Sequence, residues 1–332
     1  MAIDLLKIQP HKVSRDLSGY ITYVYGVAKC GKTTFAARAS KCLILATEKG
    51  YSALDGVMAQ DINTWSDIRS VLRELRKPEV KEMFSVIAVD TVDLAAKYCE
   101  RYICSNAGVD DLGSIPYGKG FKMMREEFED VFTQMTKLGY AVIFISHDAI
   151  RTITRDDGST YNDIRPSLSP DKVNDIVANM ADIYAYAHLK AFDESGHKQV
   201  MLTLRDDTGM IACGCRFKYI EPEIPFTYEA LTKAVNDAID KQAQAGNAEF
   251  FTDEPQAKPV EVAYDFPSMM EEFDSMVKKI KADHTEDFKT VWAPKIASTI
   301  EKILGKGKKV SEMTESQAEQ LDVILGELKA LV

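Results

Sequence analysis

The sequence predicts an α/β fold in which a mainly parallel sheet is flanked by helices, followed by a small C-terminal helical region. Two observations lead to this class. Short apolar runs alternate with helical segments over the first three quarters of the chain, and a phosphate-binding motif lies between the first run and a helix. With 332 residues, of which 45% are hydrophobic, the chain can bury a large core and a second, smaller one.

Strands and helices are predicted from the period of the apolar residues. The four main strands are residues 20–25, 42–47, 84–90 and 140–146. Each run is apolar nearly throughout, as a strand covered on both faces must be. The helical segments between these strands are residues 33–40, 66–75, 92–105 and 121–138. Two later runs, 183–189 and 199–204, are joined through residues 193–196 as a hairpin, so the sheet is expected to end in antiparallel strands.

A long polar segment follows the fourth strand. Residues 148–170 are rich in Asp, Arg, Ser and Thr, and the pair Asp157-Gly158 is a turn signal. This composition is typical of a surface connection that has no apolar face to bury. We therefore expect a long mobile loop at this position.

The chain is divided by a polar segment that contains several prolines. Residues 244–267 show little periodicity, which is typical of a linker. The expected domains are therefore residues 1–243 and a helical region of residues 268–332. Thr314 and Gln317 have the spacing of a capping box at the start of the last predicted helix. The three predicted helices of this region are residues 268–282, 286–304 and 314–331.

Charge and composition exclude several classes of protein. A net charge of -10 argues against a protein that coats nucleic acid through overall basicity, so any nucleic-acid site must be local. No run approaches the roughly 20 apolar residues that cross a bilayer, and the start of the chain has no secretory core. The protein is therefore expected in the cytoplasm, without a membrane partner. The six cysteines form no zinc-ligand spacing and are expected to be free thiols.

The strongest motif is a GxxxxGKT loop between the first strand and the first helix. Its backbone amides and the helix N-terminus are suited to triphosphates, which predicts ATP as ligand. Lys32 is expected to reach the β and γ phosphates, and the Thr33 hydroxyl to ligate Mg²⁺. The predicted nucleotide-binding residues are Gly26, Val27, Ala28, Lys29, Cys30, Gly31, Lys32, Thr33 and Thr34.

Carboxylates at two strand ends supply the remaining predicted chemistry. Asp90 ends an apolar strand in the manner of a Walker B acid and is expected to hold Mg²⁺ directly or through water. Thr91 follows it where many ATPases have an acid, so the water-orienting base must lie elsewhere. Glu48 ends the strand after the P-loop helix, at the edge where the γ phosphate would lie. Ser146 or His147, at the tip of the fourth strand, is expected to sense that phosphate, or His147 simply caps the strand.

These pieces, in this order, resemble the RecA-like ATPase core over about residues 15–240. The sequence is most similar to the phage-encoded ATP-binding proteins of that class that act in single-strand annealing or recombination. The segments 117–121, 146–147 and 216–218, the last just before residues 221–225, also look like this group. The resemblance implies that Glu48 is the catalytic glutamate. It also implies a host bacterial cytoplasm as the location.

In that family, single-stranded DNA lies against two loops, which by resemblance are residues 106–122 and 148–172. The first offers aromatic and basic side chains among glycines, which can stack on bases and meet phosphates. The second offers arginines but has more acidic than basic residues. Both remain open to being ordinary solvated connections. The DNA-binding residues implied are Tyr117, Lys119, Phe121, Lys122, Arg151 and Arg155.

The resemblance further implies a homo-oligomer, either a ring or a filament, assembled head to tail. A basic residue of the neighbouring copy would then reach the γ phosphate; the candidates for this trans finger are Arg205, Arg216 and Lys218. Salt bridges at the rim are the alternative role for each of these residues. The C-terminal helices are expected to pack a core of their own, or to bind a partner such as a single-strand DNA-binding protein.

The function that follows is an ATP-binding and ATP-hydrolysing protein that binds single-stranded DNA and promotes annealing or homologous recombination. Hydrolysis is expected to be stimulated by DNA. Two alternatives remain open at this point: a P-loop nucleotide kinase, and a non-catalytic, ATP-gated replication or helicase-loading factor. No arginine-rich lid typical of a kinase is evident in the sequence.

Overall fold

The computed structural model describes residues 10–192, 198–246, 251–253 and 266–331. The chain separates into two compact units. The first contains the described residues from 10 to 253, and the second contains residues 266–331. The predicted linker lies mostly outside the described residues.

The first unit is built on a large sheet covered by helices. Its strands are β1 Val13–Ser14, β2 Thr22–Gly26, β3 Cys42–Ala46, β4 Met58–Asp61, β5 Val86–Asp90, β6 Ala141–Thr154, β7 Thr160–Pro166, β8 Ile183–Phe192, β9 Lys198–Thr203, β10 Gly214–Cys215, β11 Glu223–Pro225 and β12 Phe251–Thr252. Its helices are α1 Lys32–Ala37, α2 Trp65–Glu74, α3 Pro78–Met83, α4 Val92–Ala107, α5 Lys119–Lys137, α6 Asp171–Met180 and α7 Tyr228–Gln244.

The main sheet has the strand order β11-β9-β8-β2-β6-β5-β3-β4. The six strands from β8 to β4 are parallel, and β9 and β11 add to the β8 edge in antiparallel pairing. This confirms the predicted α/β class with a mainly parallel sheet flanked by helices and an antiparallel end. The described strand β6 lies between β2 and β5, so the P-loop strand and the Asp90 strand are not neighbours.

Helices cover both faces of the sheet because the buried strands are apolar on both sides. One face packs against α2, α4, α5 and α6. The largest side chains of the core formed there include Trp65, Phe128, Phe132 and Phe144. The other face packs against α1 and α7. Since successive strand residues point to opposite faces, Val89 joins the first core and Ala88 joins the second. This alternation decides which strand-tip side chains meet.

The prediction of a loop over residues 148–170 is wrong, because most of this segment forms strands. β6 continues to Thr154 and pairs antiparallel with β7, from Asp148 opposite Pro166 to Thr154 opposite Thr160. We call residues 148–166 the β6–β7 hairpin. Its sequence is polar because much of it is exposed beyond the main sheet, so it lacks the apolar pattern of a buried strand. The predicted turn is present: Gly158 has φ +80°, and Arg155 N donates to Ser159 O at 2.8 Å.

Several described elements were not predicted, and three of them bear on the architecture: β4, α7 and β12. Strand β4 is a polar edge strand, and α7 covers the second face of the sheet. The third lies inside the segment that the sequence assigns to a linker, where β12 pairs in parallel with β1. Val13 lies opposite Phe251, and Arg15 forms ion pairs with Asp240 (2.5 Å) and Asp253 (3.1 Å).

The second unit is helical, with α8 Phe266–Asp283, α9 Ala293–Leu304 and α10 Ala318–Leu331. The predicted second helix is shorter than expected, because residues 288–292 form a π turn. Thr314 N donates to Gln317 Oε1 at 3.2 Å, as the capping-box spacing predicts. Within the described ranges, no helix has the length and apolarity needed to cross a membrane. Side chains from all three helices form the core, including Ile280, Ile296, Leu321, Ile324, Leu325 and Leu328.

Candidate functional site

The P-loop curls between the end of β2 and the start of α1. A Cβ on Gly26 would lie 2.0 Å from the Ala187 carbonyl oxygen, so glycine is required where β2 pairs with β8. Gly31 has φ +99°, a conformation that favours glycine, and precedes the first residue of α1. Phe35 N then donates to Gly31 O at 2.9 Å and starts the helix. A glycine is thus needed at each end of the loop: Gly26 because there is no room for a Cβ, and Gly31 because of its positive φ.

Lys32 lies inside this loop and is only 6% exposed. Its Nζ donates to the carbonyl oxygens of Gly26 at 2.7 Å and Val27 at 2.8 Å. The ammonium group is therefore held by the loop itself. Phosphate oxygens are stronger acceptors for an ammonium group than neutral carbonyls, so a triphosphate in the loop would draw Lys32 to it.

Thr33 and Asp90 meet beside the loop. The Thr33 hydroxyl donates to Asp90 Oδ2 at 2.6 Å. Asp90 is 5% exposed; burial raises its carboxyl pKa, and the nearby Glu48 adds to this, while the Thr33 bond opposes it. A Cβ on Gly50 would lie 2.9 Å from Thr33 Oγ1 and 3.4 Å from Asp90 Oδ2, so glycine leaves space there. A hydroxyl and a carboxylate with space around them fit Mg²⁺, which prefers oxygen ligands.

Glu48 is held next to this pair by the last residue of β5 and by Thr91, which follows it. Thr47 N and Glu48 N both donate to Asp90 O, at 2.8 Å and 3.2 Å. Thr47 Oγ1 accepts from Thr91 N at 2.7 Å and donates to Thr91 O at 3.0 Å. Thr91 Oγ1 in turn donates to Glu48 Oε1 at 3.2 Å. These bonds fix the Glu48 side chain, which stays 42% exposed and therefore accessible to water.

Ser146 and His147, where β6 leaves the main sheet, point to opposite faces. His147 Nε2 lies 3.5 Å from Glu48 Oε1, on the face of α1 and the P-loop. Ser146 points to the other face, where its hydroxyl donates to Asp93 Oδ1 at 3.0 Å. Of the two residues considered as phosphate sensors, the structure therefore brings only His147 to Glu48.

The first predicted DNA segment is mostly exposed, and its end lies near the same edge of the sheet. α5 has 19 residues, about 28 Å of helix, and enters β6 after a short turn, so its start reaches the carboxyl edge of the parallel strands. Tyr117 is 96% exposed in a turn with φ 62°, and Phe121 is 48% exposed. Lys119 is exposed, and Lys122 Nζ lies 3.4 Å from a glutamate one turn along the helix.

The predicted arginines of the second segment lie on the β6–β7 hairpin. Arg151 donates to Asp171 at 3.0 Å and 3.4 Å. Arg155 lies over the Tyr161 ring at 4.6 Å, in cation–π geometry. Ile150, on β6, is 60% exposed. The hairpin thus presents basic, aromatic and apolar groups, but Arg151 already has a carboxylate partner.

The three finger candidates already have contacts within the chain. Arg205 donates to two backbone carbonyls of residues 215–217. Arg216 is 64% exposed and forms an ion pair with Asp182 at 3.1 Å. Lys218 lies over a neighbouring tyrosine ring at 5.3 Å. None of these contacts places the three cations near the P-loop of their own chain, so any role at the phosphates would need a second copy.

Sequence reasoning missed a polar cluster behind the site and a row of tyrosines beneath the hairpin. Asp93 Oδ1 accepts from Ser146 and also from the Ser167 hydroxyl, at 2.6 Å. Tyr25 OH donates to Ile164 O at 3.1 Å and anchors the β6–β7 hairpin. The alternation of tyrosines along β2 and β8 is a signal that could have located the row; the members are Tyr23, Tyr25, Tyr184 and Tyr186.

A glycine loop between a parallel strand and a helix, with its threonine bonded to a buried aspartate from another strand, defines a P-loop NTPase. This class binds nucleoside triphosphates with Mg²⁺. Residues 18–212 match the model of the AAA domain, and the chain belongs to that family.

One relative and two solved structures are similar to this chain to different degrees. The chain is 32% identical over 340 residues to the SPbeta prophage-derived uncharacterized protein YorG of Bacillus subtilis (strain 168), covering 100% of this chain and 99% of that protein. A KaiC-like protein of Pyrococcus horikoshii matches at TM-score 0.37 and 12% identity, over 65% of this chain and 94% of that one. The flagellar accessory protein FlaH of Methanocaldococcus jannaschii matches at TM-score 0.36 and 12% identity, over 66% and 86%.

Proposed function

We propose that this protein hydrolyses ATP with Mg²⁺ and uses the nucleotide cycle to control its binding of single-stranded DNA, in annealing or recombination. One observation carries the hydrolysis part. The pairs Thr33–Asp90 and Glu48–His147 converge beside the P-loop, at 2.6 Å and 3.5 Å respectively. This is the set of groups that phosphoryl transfer to water requires: a phosphate cradle, a metal-ligand pair and a base.

Each group has a distinct part in this proposal. Lys32 and the loop amides bind the β and γ phosphates. Thr33 and Asp90 would hold Mg²⁺, which supplies charge neutralisation at the phosphate oxygens when bound. Glu48 accepts the proton of the attacking water, because its carboxylate is fixed by Thr91 and remains accessible to solvent. His147 orients Glu48 from β6, across the end of β5.

Binding of single-stranded DNA is supported by the surface close to this site. Tyr117 and Phe121 expose aromatic rings beside Lys119, and Arg155 stacks with Tyr161 on the β6–β7 hairpin. Exposed rings and cations in this combination suit unstacked bases and phosphates. β6 links the nucleotide site to the hairpin directly, since it carries His147 at the site and then forms the first arm of the hairpin. The prophage origin of the relative from Bacillus subtilis is in keeping with a role in phage DNA metabolism.

Fluorescence anisotropy with a labelled oligo-dT strand tests the DNA part. We expect binding with Mg²⁺ and ATPγS to exceed binding with ADP, and to weaken from 50 to about 200 mM salt as phosphate contacts are screened. Tyr117→Ala should lose affinity by about 5- to 150-fold, since stacking of one base contributes roughly 1–3 kcal/mol. Met83→Ala, at the end of α3, is the control for loss of an exposed apolar side chain. ATP turnover without DNA binding under any condition would overturn the DNA part alone.

Transfer of the γ phosphate to a nucleoside monophosphate would instead indicate a nucleotide kinase. ATP binding without turnover would indicate a gating or loading factor. Both outcomes are read from the same nucleotide assays, because the products differ: a nucleoside diphosphate from the acceptor, free phosphate, or neither.

A head-to-tail homo-oligomer belongs to the same proposal. Arg216 is the most accessible of the two arginine candidates for a trans contact, at 64% exposure. A trans finger predicts complementation: mixing Arg216→Ala with Lys32→Ala should restore part of the ATPase activity, because mixed seams pair an intact P-loop with an intact finger. Activity of Arg216→Ala alone at the wild-type level would exclude Arg216 from this role. The second unit, residues 266–331, is proposed as a separate domain that packs its own core or binds a single-strand DNA-binding protein.

A further inference from the structure

We infer that Asp93 and Ser167 couple the nucleotide site to the β6–β7 hairpin, so that the state of the site sets the mobility of the hairpin. This inference rests on the proposed binding of ATP. It goes further by assigning the coupling to two side chains that neither bind phosphate nor take part in hydrolysis. Both would be positioning residues.

Ser167 is the first residue after β7 and is bonded twice to the elements that form the nucleotide site. Its backbone N donates to His147 O at 2.8 Å, and its hydroxyl donates to Asp93 Oδ1 at 2.6 Å. Asp93 Oδ1 also accepts from Ser146 Oγ at 3.0 Å. One carboxylate oxygen thus joins the start of α4, the middle of β6 and the end of the hairpin.

The other side of this cluster leads directly to the nucleotide site. Asp93 is the third residue after Asp90, and Thr91 lies between them with its bonds to Thr47 and Glu48. A change in the Thr33–Asp90 bond or in the position of Glu48 therefore reaches Asp93 through one turn of backbone. The same change reaches Ser167 through His147, which lies against Glu48.

The second carboxylate oxygen supports the existence of two arrangements. Asp93 Oδ2 is buried and has no hydrogen-bond partner among the described residues. Buried polar atoms are nearly always satisfied, so an acceptor left open has capacity for a donor that this arrangement does not supply. A rotation of the carboxylate can exchange its two oxygens between the serine hydroxyls and another donor. The Asp93 cluster is therefore suited to change between two hydrogen-bond arrangements as well as to hold the end of the hairpin.

Other anchors of the hairpin do not pass through Asp93 or Ser167. Tyr25 OH donates to Ile164 O at 3.1 Å, and Tyr186 OH donates to Asp148 Oδ2 at 3.4 Å. Both tyrosines lie on strands beneath the hairpin and hold its base. Loss of the Ser167 hydroxyl should consequently leave the hairpin folded and remove only its link to Asp93.

Hydrogen–deuterium exchange of the full chain, followed in peptides that cover residues 148–166, tests the inference without DNA or turnover. In the wild type, Mg²⁺ with ATPγS should slow exchange of these amides by about 2- to 10-fold, the effect of strengthening roughly one hydrogen bond. Ser167→Ala and Asp93→Ala should remove this response. Ser167→Thr should retain it because the hydroxyl remains, and Asp93→Asn should retain it because Oδ1 still accepts. Ser159→Ala, in the hairpin turn, is the matched control and should respond like the wild type.

The outcomes separate the inference from the proposed function. A wild-type response in Ser167→Ala overturns the inference, as does a wild-type hairpin that ignores ATPγS while the protein still hydrolyses ATP; in both cases the hydrolysis proposal stands. Absence of ATP binding in isothermal titration overturns both. Loss of the response in Ser167→Ala together with its retention in Ser167→Thr supports the coupling.

Discussion

Replacement of Glu48 by glutamine tests the role of Glu48 as base separately from ATP binding. The change keeps the size of the side chain and one carbonyl oxygen, so the acceptor for Thr91 Oγ1, now at 3.2 Å, is retained. It removes the negative charge and the ability to accept a proton from water. A positioned general base contributes about 10²- to 10⁴-fold to a rate, which corresponds to roughly 3–5 kcal/mol in the barrier. We therefore expect kcat for ATP hydrolysis to fall at least about 100-fold.

ATP affinity should change much less, since Lys32, Thr33 and Asp90 are untouched. Phosphate release at saturating ATP and Mg²⁺ gives the rate, and isothermal titration gives the dissociation constant, which should stay within about 3-fold of the wild type. Glu129→Gln, an exposed position on α5, is the control for loss of one negative charge. Turnover of Glu48→Gln within a few-fold of the wild type would refute the assignment of Glu48 as base.

Three other substitutions follow from the same geometry. Asp90→Asn should raise the melting temperature of the nucleotide-free protein at pH 7, because burial raises the Asp90 pKa and its charge costs stability. That gain should shrink as the pH falls through the raised pKa towards the ordinary aspartate value, which calorimetry at several pH values would follow. Gly50→Ala should weaken Mg²⁺-dependent ATP binding by about 10-fold or more in titrations, since its Cβ would lie 2.9 Å from Thr33 Oγ1, whereas Gly214→Ala, with open space around its Cβ, should spare it. Phe128→Ala, fully buried against Trp65 and Phe132, should lower the free energy of unfolding by about 3–5 kcal/mol in denaturant titrations; an effect below about 1 kcal/mol would contradict the packing described.

The nucleotide site was largely predictable because its signals are local. The spacing of the P-loop fixes Lys32 and Thr33, and a carboxylate that directly follows a buried parallel strand must lie at the carboxyl edge of the sheet. Asp90 and Glu48 could therefore be placed beside the loop without knowledge of tertiary contacts. The roles of these residues remain predictions.

Register and long-range contacts were not predictable in the same way. The choice between Ser146 and His147 depends on which face each residue of β6 occupies, and this is set by pairing with β2 and β5. The sequence predicts a loop at the β6–β7 hairpin because much of the hairpin is polar and exposed. Ser167 meets Asp93 across 74 positions of the sequence, and no spacing rule connects them.

The pairing of β1 with β12 brings the two ends of the first unit side by side. Val13 lies opposite Phe251, and Arg15 reaches both Asp240 and Asp253. Because these ends are adjacent, a short peptide can connect them, and new chain termini can be placed elsewhere, for instance at the exposed turn before Gly158. A circularly permuted first unit should therefore keep the same architecture, which means that the order in which its strands are synthesised is not what specifies their arrangement.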